Sequence, residues 1–372
     1  MTTFPNFLSI DMKPNSLVII GGGPVGLYTA LKLSARGLRV DLYEKGTWPK
    51  DKVCGQGIMP SGLSLLDCIG LKIKDKEDAY FFNGIEYIDN GNSILGLLPS
   101  HGAGIERNIL SKKLFNLAAK DPNIVLYPNT VVTKVNNNTN SVTIFCSDLK
   151  SNVSLQKKYK YLFACDGLNS PIRKMLHLEQ HRKNDQRMGA RVHFDVSPWS
   201  CYIQVYWSDK IEAYVTPVSN KRVEVAFLWF KKRIDVHHNL QESLFECFPQ
   251  LVAKLNNQPS CGDFRGYGPF AATSKMLKKD NIFFIGDAYK FLDGITGEGI
   301  SIGIKAATIV VNHFEHFKIH HALKIKYHYL RYAIWVKVAL LLSQSRYLRK
   351  ICFLLLSKYP RIFNFILKLN DH

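Results

Sequence analysis

Four places in this chain hold residues whose types and spacing could do chemistry. The first is Gly21, Gly23 and Gly26 with Glu44, in VIIGGGPVGLYTALKLSARGLRVDLYE. The second is Lys52 and Cys54 in the loop KVCGQG, and the third is Asp166-Gly167 in CDGLNS. The fourth is Gly286-Asp287, followed by Gly297, Gly299 and Ile300 in GITGEGI. In the first, Gly21 allows a tight turn and Gly23 lets the backbone approach a pyrophosphate. Gly26 lets a helix pack closely on a sheet, the helix N-terminus offers free N–H groups, and Glu44 is placed to accept from a ribose 2′-hydroxyl. That is the chemistry of holding a dinucleotide. Glycines alone would mark only a turn, but here a strand precedes them and a helix, a second strand and the acid come after them in register. In the fourth place, an Asp at a strand end and Gly-Glu-Gly at a helix start suit a ribityl or phosphate group. They would also aim N–H groups and a helix dipole at a developing anion. The plain alternative is a strand–turn–helix connection. For Lys52 and Cys54, spacing alone favours a solvated lysine and a small buried filler.

The elements that must position these residues can be read in chain order. An apolar strand (17–20) leads to a helix from about Pro24 to Ala35, closed by Gly37, and a strand comes next at 38–43. A Gly-rich loop leads to a helix from Pro60–Ser61 to Gly70. Residues 80–99 read as β-hairpin material with turns at Asn83-Gly84 and Asn90-Gly91. Arg107 and Asn108 open a helix that Asp121-Pro122 ends. Three strands come after it (124–127, 130–135, 141–146), and a short apolar strand at 160–164 runs into Asp166-Gly167. Ligands bind at such strand ends in open α/β sheets. From about 185 to 275 the pattern changes to aromatic and β-branched runs (191–196, 200–207, 211–217, 222–229) and one helix, 239–255. That is an antiparallel sheet inserted into an α/β fold. Its Tyr202, Tyr206, Trp207, Tyr214 and Trp229 are either a substrate wall or core packing. The α/β pattern returns with a strand at 281–285 and a long helix to about Phe317.

The chain of 372 residues is long enough for two packed domains, and its 46% hydrophobic and 21% charged residues are those of a globular protein. Eight scattered cysteines without a CxxC pair argue against a disulfide framework or a zinc site and fit a reducing cytosol. The first fifteen residues have neither the basic nor the apolar region of a signal peptide, so a cytoplasmic protein is expected. Net charge is +19, and residues 318–372 carry eleven Lys/Arg against one acid, Asp371. There the cations alternate with Leu, Ile, Phe and Trp at helical spacing. No nucleic-acid-reading motif accompanies them, so nucleic acid is not expected. The apolar stretch 332–342 is broken by Lys337 and falls short of the roughly 20 residues of a membrane span. About three amphipathic helices are expected over 321–372. They either pack on the protein's own core or touch an anionic membrane surface through Trp335, Phe353 and Phe363.

Three separated segments then point one way: GGGPVGLYTALKLSARGLRVDLYEK, CDGLNSPIR and IGDAYKFLDGITGEGISIGIKAA. Together they resemble the flavoprotein superfamily of p-hydroxybenzoate hydroxylase. The loop KVCGQGIMPSG with TGEGIS is similar to its geranylgeranyl reductase-like branch, although Gly294 stands where that branch commonly has Pro. The resemblance spans essentially the whole chain. It implies an α/β (α+β overall) protein with a Rossmann-like FAD-binding domain (1–79, 101–180 and 276–320). An antiparallel-sheet substrate domain (80–100 and 181–275) and a basic helical tail (321–372) complete it. It also implies that Gly21, Gly23 and Gly26 cradle the FAD pyrophosphate and that Glu44 takes the adenosine ribose. Arg107 would reach the pyrophosphate or flavin side, and Val132 would contact adenine through its backbone. Asp166 and Gly167 would support FAD and the approach of the nicotinamide cofactor. Asp287, after Gly286, would bind the ribityl chain, and Gly297, Gly299 and Ile300 would lie along the isoalloxazine ring. The resemblance makes Cys54 a candidate catalytic residue beside the flavin. No metal is implied.

The activity this resemblance implies is that of an FAD-dependent oxidoreductase reduced by NAD(P)H. One expectation is a monooxygenase that uses O2 to hydroxylate a hydrophobic aromatic or polyketide-like substrate. A second is a reductase that gives hydride to an isoprenoid double bond, with Cys54 as proton donor. A third is a flavin-binding protein without turnover. The Trp-x-Trp-x-Ile-Pro signature of flavin halogenases is missing, which disfavours halogenation. NADH and NADPH remain alternatives.

Overall fold

A computed structural model describes residues 8–10, 17–181, 187–209, 211–233, 239–268, 270 and 272–371. Most of the N-terminal stretch read for a signal peptide, and the start of the inserted section at 182–186, lie outside the described residues.

Leu17–Ile20 is buried at all four positions, as a strand covered on both faces must be. It pairs in parallel with Val40–Tyr43 on one side and Tyr161–Ala164 on the other. Ile282–Phe284 lies beyond Tyr161–Ala164, Ile124–Tyr127 lies beyond Val40–Tyr43, and the antiparallel Lys278–Lys279 closes one edge. This order decides where the chemistry goes. Glycine or acid comes after four adjacent parallel strands: Gly21 after Ile20, Glu44 after Tyr43, Asp166 after Ala164 and Asp287 after Phe284. All four therefore emerge at one end of one sheet. Helix Pro24–Ser34 covers the sheet and packs on helix Gly299–His313. A Cβ on Gly303 would stand 2.6 Å from a Val25 methyl carbon, so the Val25 side chain packs directly on the backbone of the second helix. The Tyr28 hydroxyl meets the Thr308 hydroxyl at 2.7 Å across the same contact. A four-stranded sheet lies alongside, in the order Leu8–Ile10, Ser154–Tyr159, Ser141–Asp148, Thr130–Asn138. Strand Ser154–Tyr159, SLQKKY, was not expected, because its polar residues mask the alternation.

The larger sheet has eight strands, in the order Ser260–Tyr267, Arg187–Phe194, Arg222–Phe230, Ile211–Ser219, Ile203–Trp207, Tyr80–Asp89, Asn92–Gly104, Gly57–Ile58. Its pairs are antiparallel except Ile203–Trp207 with Tyr80–Asp89. Two expectations are corrected here. Asn83-Gly84 is not a turn: Tyr80–Asp89 runs straight through it, with the register shifting between Phe82 and Gly84. A Cβ on Gly84 would stand 2.4 Å from the Gly96 carbonyl oxygen, so the glycine serves a close strand approach. The hairpin turn is Asn90-Gly91, where both φ angles are positive (48° and 83°). The single helix expected over 239–255 is two, Leu240–Phe245 and Pro249–Lys254. Pro249 cannot donate within a helix, so it ends one and opens the next. Leu244, Phe248 and Leu251 of this pair form a second, smaller core with Phe227 and Val225.

Residues 319–371 form the helices Ile319–Gln344, Arg346–Lys358 and Pro360–Asp371. They pack on the hairpin side of the larger sheet. Phe363 stacks obliquely on Tyr87 with ring centroids 5.8 Å apart, and Phe353 lies 6.0 Å from Trp207. Of the two placements left open for Phe353 and Phe363, packing on the protein or contact with a membrane, both side chains take the first. The Leu97 N–H donates to Asn364 at 2.8 Å, and the Ser61 N–H donates to Asp371 at 2.8 Å. Arg349 is 1% exposed and ion-paired to Asp89 at 2.9 Å and Asp209 at 2.7 Å. Among the described residues, no helix is long and apolar enough to cross a membrane.

Arg349 locks the tail because Asp89 is itself buried. Replacing Arg349 by Met should destabilise the protein by about 3–5 kcal/mol, by leaving a buried carboxylate without its partner. Denaturant titration should show this as a lower midpoint; an unchanged midpoint would mean the tail is not bound through this pair.

Candidate functional site

A cleft runs between the strand ends of the central sheet and the inner face of the larger sheet, and its empty space, open mouth included, is about 2240 Å3. Its lining takes in both the strand-end turns and the apolar sheet face, so a dinucleotide and a second molecule can share it.

At one end, Gly21 has φ +104°, and a Cβ there would sit 2.5 Å from the Cys165 carbonyl oxygen. Gly23 lines the cleft, and a Cβ on it would meet only Arg107 Nη2, at 3.9 Å. Gly26 does not line the cleft. A Cβ on it would stand 1.9 Å from the Gly21 carbonyl oxygen, so its part is to let the helix close on the turn. Glu44 lines the cleft and is 3% exposed. It accepts from the Gly22 N–H at 2.7 Å and the Gly46 N–H at 2.9 Å, and it is paired with Lys50. Burial alone would raise its pKa, but Lys50 and the two N–H donors outweigh burial and hold it below the ordinary value. A carboxylate has about four acceptor positions, so one is left for a ribose hydroxyl. Arg107 opens helix Arg107–Ala119 and faces Gly23, and its buried Nε has no hydrogen-bond partner. Val132 lines the cleft with Thr130 and Val131, where the ladder to Ser141–Asp148 shifts register.

Further along, Asp166 accepts from the Ile172 N–H at 3.0 Å through Oδ2, while its buried Oδ1 has no partner. Burial pushes its pKa up to about 6, against the pull of Ser170 and Ile172. Gly167 has φ +79°, and a Cβ there would lie 3.6 Å from the Lys52 ammonium. Lys52 is therefore not the solvated lysine expected: it lines the cleft and lies 5.3 Å from the Tyr267 ring centre. Burial lowers its pKa, with Asp287 opposing. Asp287 also lines the cleft; burial raises its pKa, with Lys52, Arg107 and Arg173 opposing. Gly286 lies behind it, where a Cβ would stand 3.4 Å from Val25, and does not line the cleft. Gly297, in the left-handed region at φ +67°, and Gly299, first residue of its helix, are both exposed to the cleft. A Cβ on either would meet nothing within 4 Å. Ile300 completes this floor, and Cys54 lines the cleft half-buried beside Gly55.

The residues that hold the cleft in shape went unrecognised in the sequence. Arg173 is fully buried and donates to the carbonyl oxygens of Leu168 and of Ala288, the latter at 3.0 Å. It staples the Asp-Gly turn to the Gly-Asp turn; its place two residues after Pro171 in CDGLNSPIR was the available signal. Arg187 pairs with Glu212 at 3.0 Å and Asp293 at 3.3 Å. Asp293 in turn accepts from the Ile295 N–H at 3.0 Å, and the Tyr214 hydroxyl donates to the Ile295 carbonyl at 2.7 Å. These contacts pin the glycine turn that ends at Gly297. No signal links Arg187 to Asp293, which stand 106 residues apart. Of the five aromatic residues considered as a substrate wall, Tyr214 alone lines the cleft. Tyr206 and Trp229 belong to the second core. The wall is aliphatic and aromatic instead: Ile85, Ile203, Val205, Leu228, Phe270 and Phe291.

These residues fit a flavin dinucleotide on structural grounds. The floor at Gly23, Gly297 and Gly299 is a cradle that side chains would fill. Arg107 Nε and Asp166 Oδ1 are buried polar atoms without partners, and such atoms call for a ligand or water.

The chain matches the family described as FAD binding domain over residues 15–318. Conditioned medium factor receptor 1 of Dictyostelium discoideum is 24% identical over 82% of this chain and 64% of its own length, so the chain spans just under two thirds of that relative. Squalene monooxygenase of Candida glabrata is 23% identical over 79% of this chain and 69% of its own. Menaquinone reductase of Mycobacterium tuberculosis is 21% identical over 81% and 76%. Among solved structures, p-nitrophenol 4-monooxygenase PnpA of Pseudomonas putida superposes with a TM-score of 0.79 at 18% identity, covering 94% of this chain and 96% of its own. That likeness is one of fold. The family match takes in most of the chain and every strand-end motif described above, and it places the chain in the FAD binding domain family.

Proposed function

We propose that the protein is an FAD-dependent monooxygenase that takes electrons from NAD(P)H and hydroxylates a hydrophobic small molecule. The observation that carries this reading is the open glycine floor at Gly297 and Gly299 facing a wall of apolar side chains across one cleft. Bound FAD would supply the redox chemistry, with the balance substrate–H + O2 + NAD(P)H + H+ giving substrate–OH + H2O + NAD(P)+. The chain supplies position and field. Gly23, Arg107 and Lys50 would hold phosphate, Glu44 a ribose hydroxyl and Asp287 the ribityl hydroxyls. Ile203, Val205, Leu228 and Phe270 would exclude water. The start of helix Gly299–His313 would aim its N–H groups at negative charge on the ring. The likeness to squalene and nitrophenol monooxygenases supports this reading.

Glu298 sharpens the point. Its side chain is buried away from the cleft, near Asp371 and Lys305. Burial first, then Asp371, pushes its pKa from 4.5 up to about 8. That shift favours the neutral acid, which leaves the positive end of the helix uncancelled.

A second reading is a reductase of an isoprenoid double bond, in the geranylgeranyl reductase-like manner. The place of Cys54 on the cleft wall and the likeness to a menaquinone reductase support it. Cys54 would then give the proton that accompanies hydride transfer.

Three outcomes are expected. Gly23→Ala and Gly299→Val fill the cradle without touching the fold. Each should weaken FAD binding at least about tenfold, or roughly 1.4 kcal/mol, while the FAD-free protein melts as before. Fluorescence titration with FAD and thermal melting check this, and unchanged affinity would remove the cradle. For Glu298, the native state keeps between about pH 4.5 and 8 a proton that the unfolded chain has released. Stability must therefore fall as pH rises through that window. Glu298→Gln should flatten this decline in a series of melting curves; an unaltered slope would mean Glu298 titrates normally. For the reaction, oxygen uptake should match NAD(P)H oxidation and hydroxylated product one to one with hydrophobic aromatic substrates. Anaerobic saturation of a prenyl lipid, abolished in Cys54→Ala with FAD content intact, would replace this reading by the second. FAD without NAD(P)H oxidation under either regime would leave a flavin-binding protein.

A further inference from the structure

The three C-terminal helices carry an apolar face that is exposed among the described residues. Among the described residues twenty-one large apolar side chains are exposed, and sixteen of them lie between Ile319 and Leu369. On helix Ile319–Gln344 the outward set includes Leu323, Tyr327, Leu330, Ile334, Val338 and Leu341. At about 100° per residue these six fall within an arc of roughly 60° to 80°. The buried set on the same helix is Ile325, His328, Tyr329, Tyr332 and Val336, and it occupies the opposite side. The helix is thus apolar on two faces: one holds the tail to the protein, and the other is left over. The next helix repeats this, with Tyr347, Ile351 and Leu354 outward and Arg349 and Phe353 inward. The last has Ile362, Phe365 and Leu369 outward and Phe363 and Leu367 inward.

The charges say what covers this face. Lys326 and Lys337 flank the stripe of the long helix on one side and Lys324 on the other, and all three are exposed. Lys350, Lys358, Arg361 and Lys368 are exposed on the two shorter helices. The acid Asp371 is 6% exposed and turned inward onto the Ser61 N–H. The outward face is therefore apolar side chains rimmed by cations with no acid among them. A second copy of this chain would set like charges against like. No described helix can span a bilayer, which leaves the surface of one.

We propose that residues 319–371 seat the protein on an anionic lipid surface, lying flat with this outward stripe in the headgroup boundary and the flanking lysines on lipid phosphates. Exposed apolar patches of this extent mark contact sites in soluble proteins. The inward layer connects this face to the cleft, because Tyr87 lines the cleft and also touches Phe363. If the proposed reaction holds, its apolar substrate stands one aromatic layer from the lipid. The docking itself does not depend on that reading.

The test is flotation of the full-length, FAD-supplemented protein with vesicles of phosphatidylcholine alone or mixed with phosphatidylglycerol, at low and high salt. Binding to the anionic vesicles is expected, weakened by salt and weakened about tenfold or more by the triple change Leu330→Asp/Ile334→Asp/Leu341→Asp. Leu149→Asp/Val153→Asp, an exposed apolar pair outside the tail, should bind like the unaltered protein. If the triple variant does not melt cooperatively, the milder Leu330→Ser/Ile334→Ser pair should still weaken binding. No binding by the unaltered protein, or binding indifferent to both tail variants, overturns the proposal. So does light scattering that shows a dimer which the tail variants dissociate, since the face would then belong to a second copy. Because flotation needs no turnover, failure here leaves the proposed reaction standing, and failure of the reaction leaves this surface standing.

Discussion

Everything at the cleft depends on how closely three pieces of backbone approach one another where the central sheet ends. The Gly21 carbonyl lies where a side chain on Gly26 would begin, and the Cys165 carbonyl lies where one on Gly21 would begin. Missing side chains at two residues thus let the first helix, the first strand and the Asp-Gly turn converge. A methyl group at either position would push the helix off the sheet. Its N-terminus would then no longer face the same space as Arg107 and Glu44. The neighbouring helix depends on the same economy of volume, since Gly303 rides directly on Val25.

Around that contact, charge positions what backbone alone cannot. Arg173 gathers carbonyls from two turns far apart in the chain, and Arg187 ties the larger sheet to the glycine turn through Asp293. Buried arginines suit this task because the guanidinium fork stays charged and holds several acceptors in one plane. The acids on the cleft itself are left less well served. Burial lifts Asp166 and Asp287, and only Lys52, Arg107 and Arg173 offset it at Asp287. A floor without side chains, ringed by cations and incompletely partnered acids, is shaped for a polyphosphate with hydroxyl groups. The apolar wall opposite is shaped for something else.

The tail shows why pattern alone left its orientation open. Each helix is apolar on two opposite sides, so periodicity marks a helix but not which side meets the protein. Phe353 and Phe363 could have served either side, and they fill the gap over Tyr87 and Trp207, where Gly96 leaves room for Phe363. Other residues, Leu330, Ile334, Leu341 and Phe365 among them, face outward instead.

What the sequence by itself determined is local: strand, glycine turn, helix, strand and acid at the start, and an acid or glycine closing two later strands. Those signals are legible because a tight turn, a positive φ or a helix N-terminus needs particular residues within a few positions of each other. The antiparallel character of the inserted section was legible for the same reason, as were Asn90-Gly91 and the three tail helices. The tertiary structure decided which strand ends became neighbours. It made a bulge of Asn83-Gly84, turned Lys52 into the cleft, and gave the wall to Ile203, Val205 and Leu228 rather than to most of the aromatic residues. It also brought Arg187 to Asp293. Apart from the Gly84 approach within its own hairpin, these outcomes depend on packing and ion pairing between segments far apart in the chain. A residue's own neighbours in sequence carry no record of which distant side chain will share its buried space.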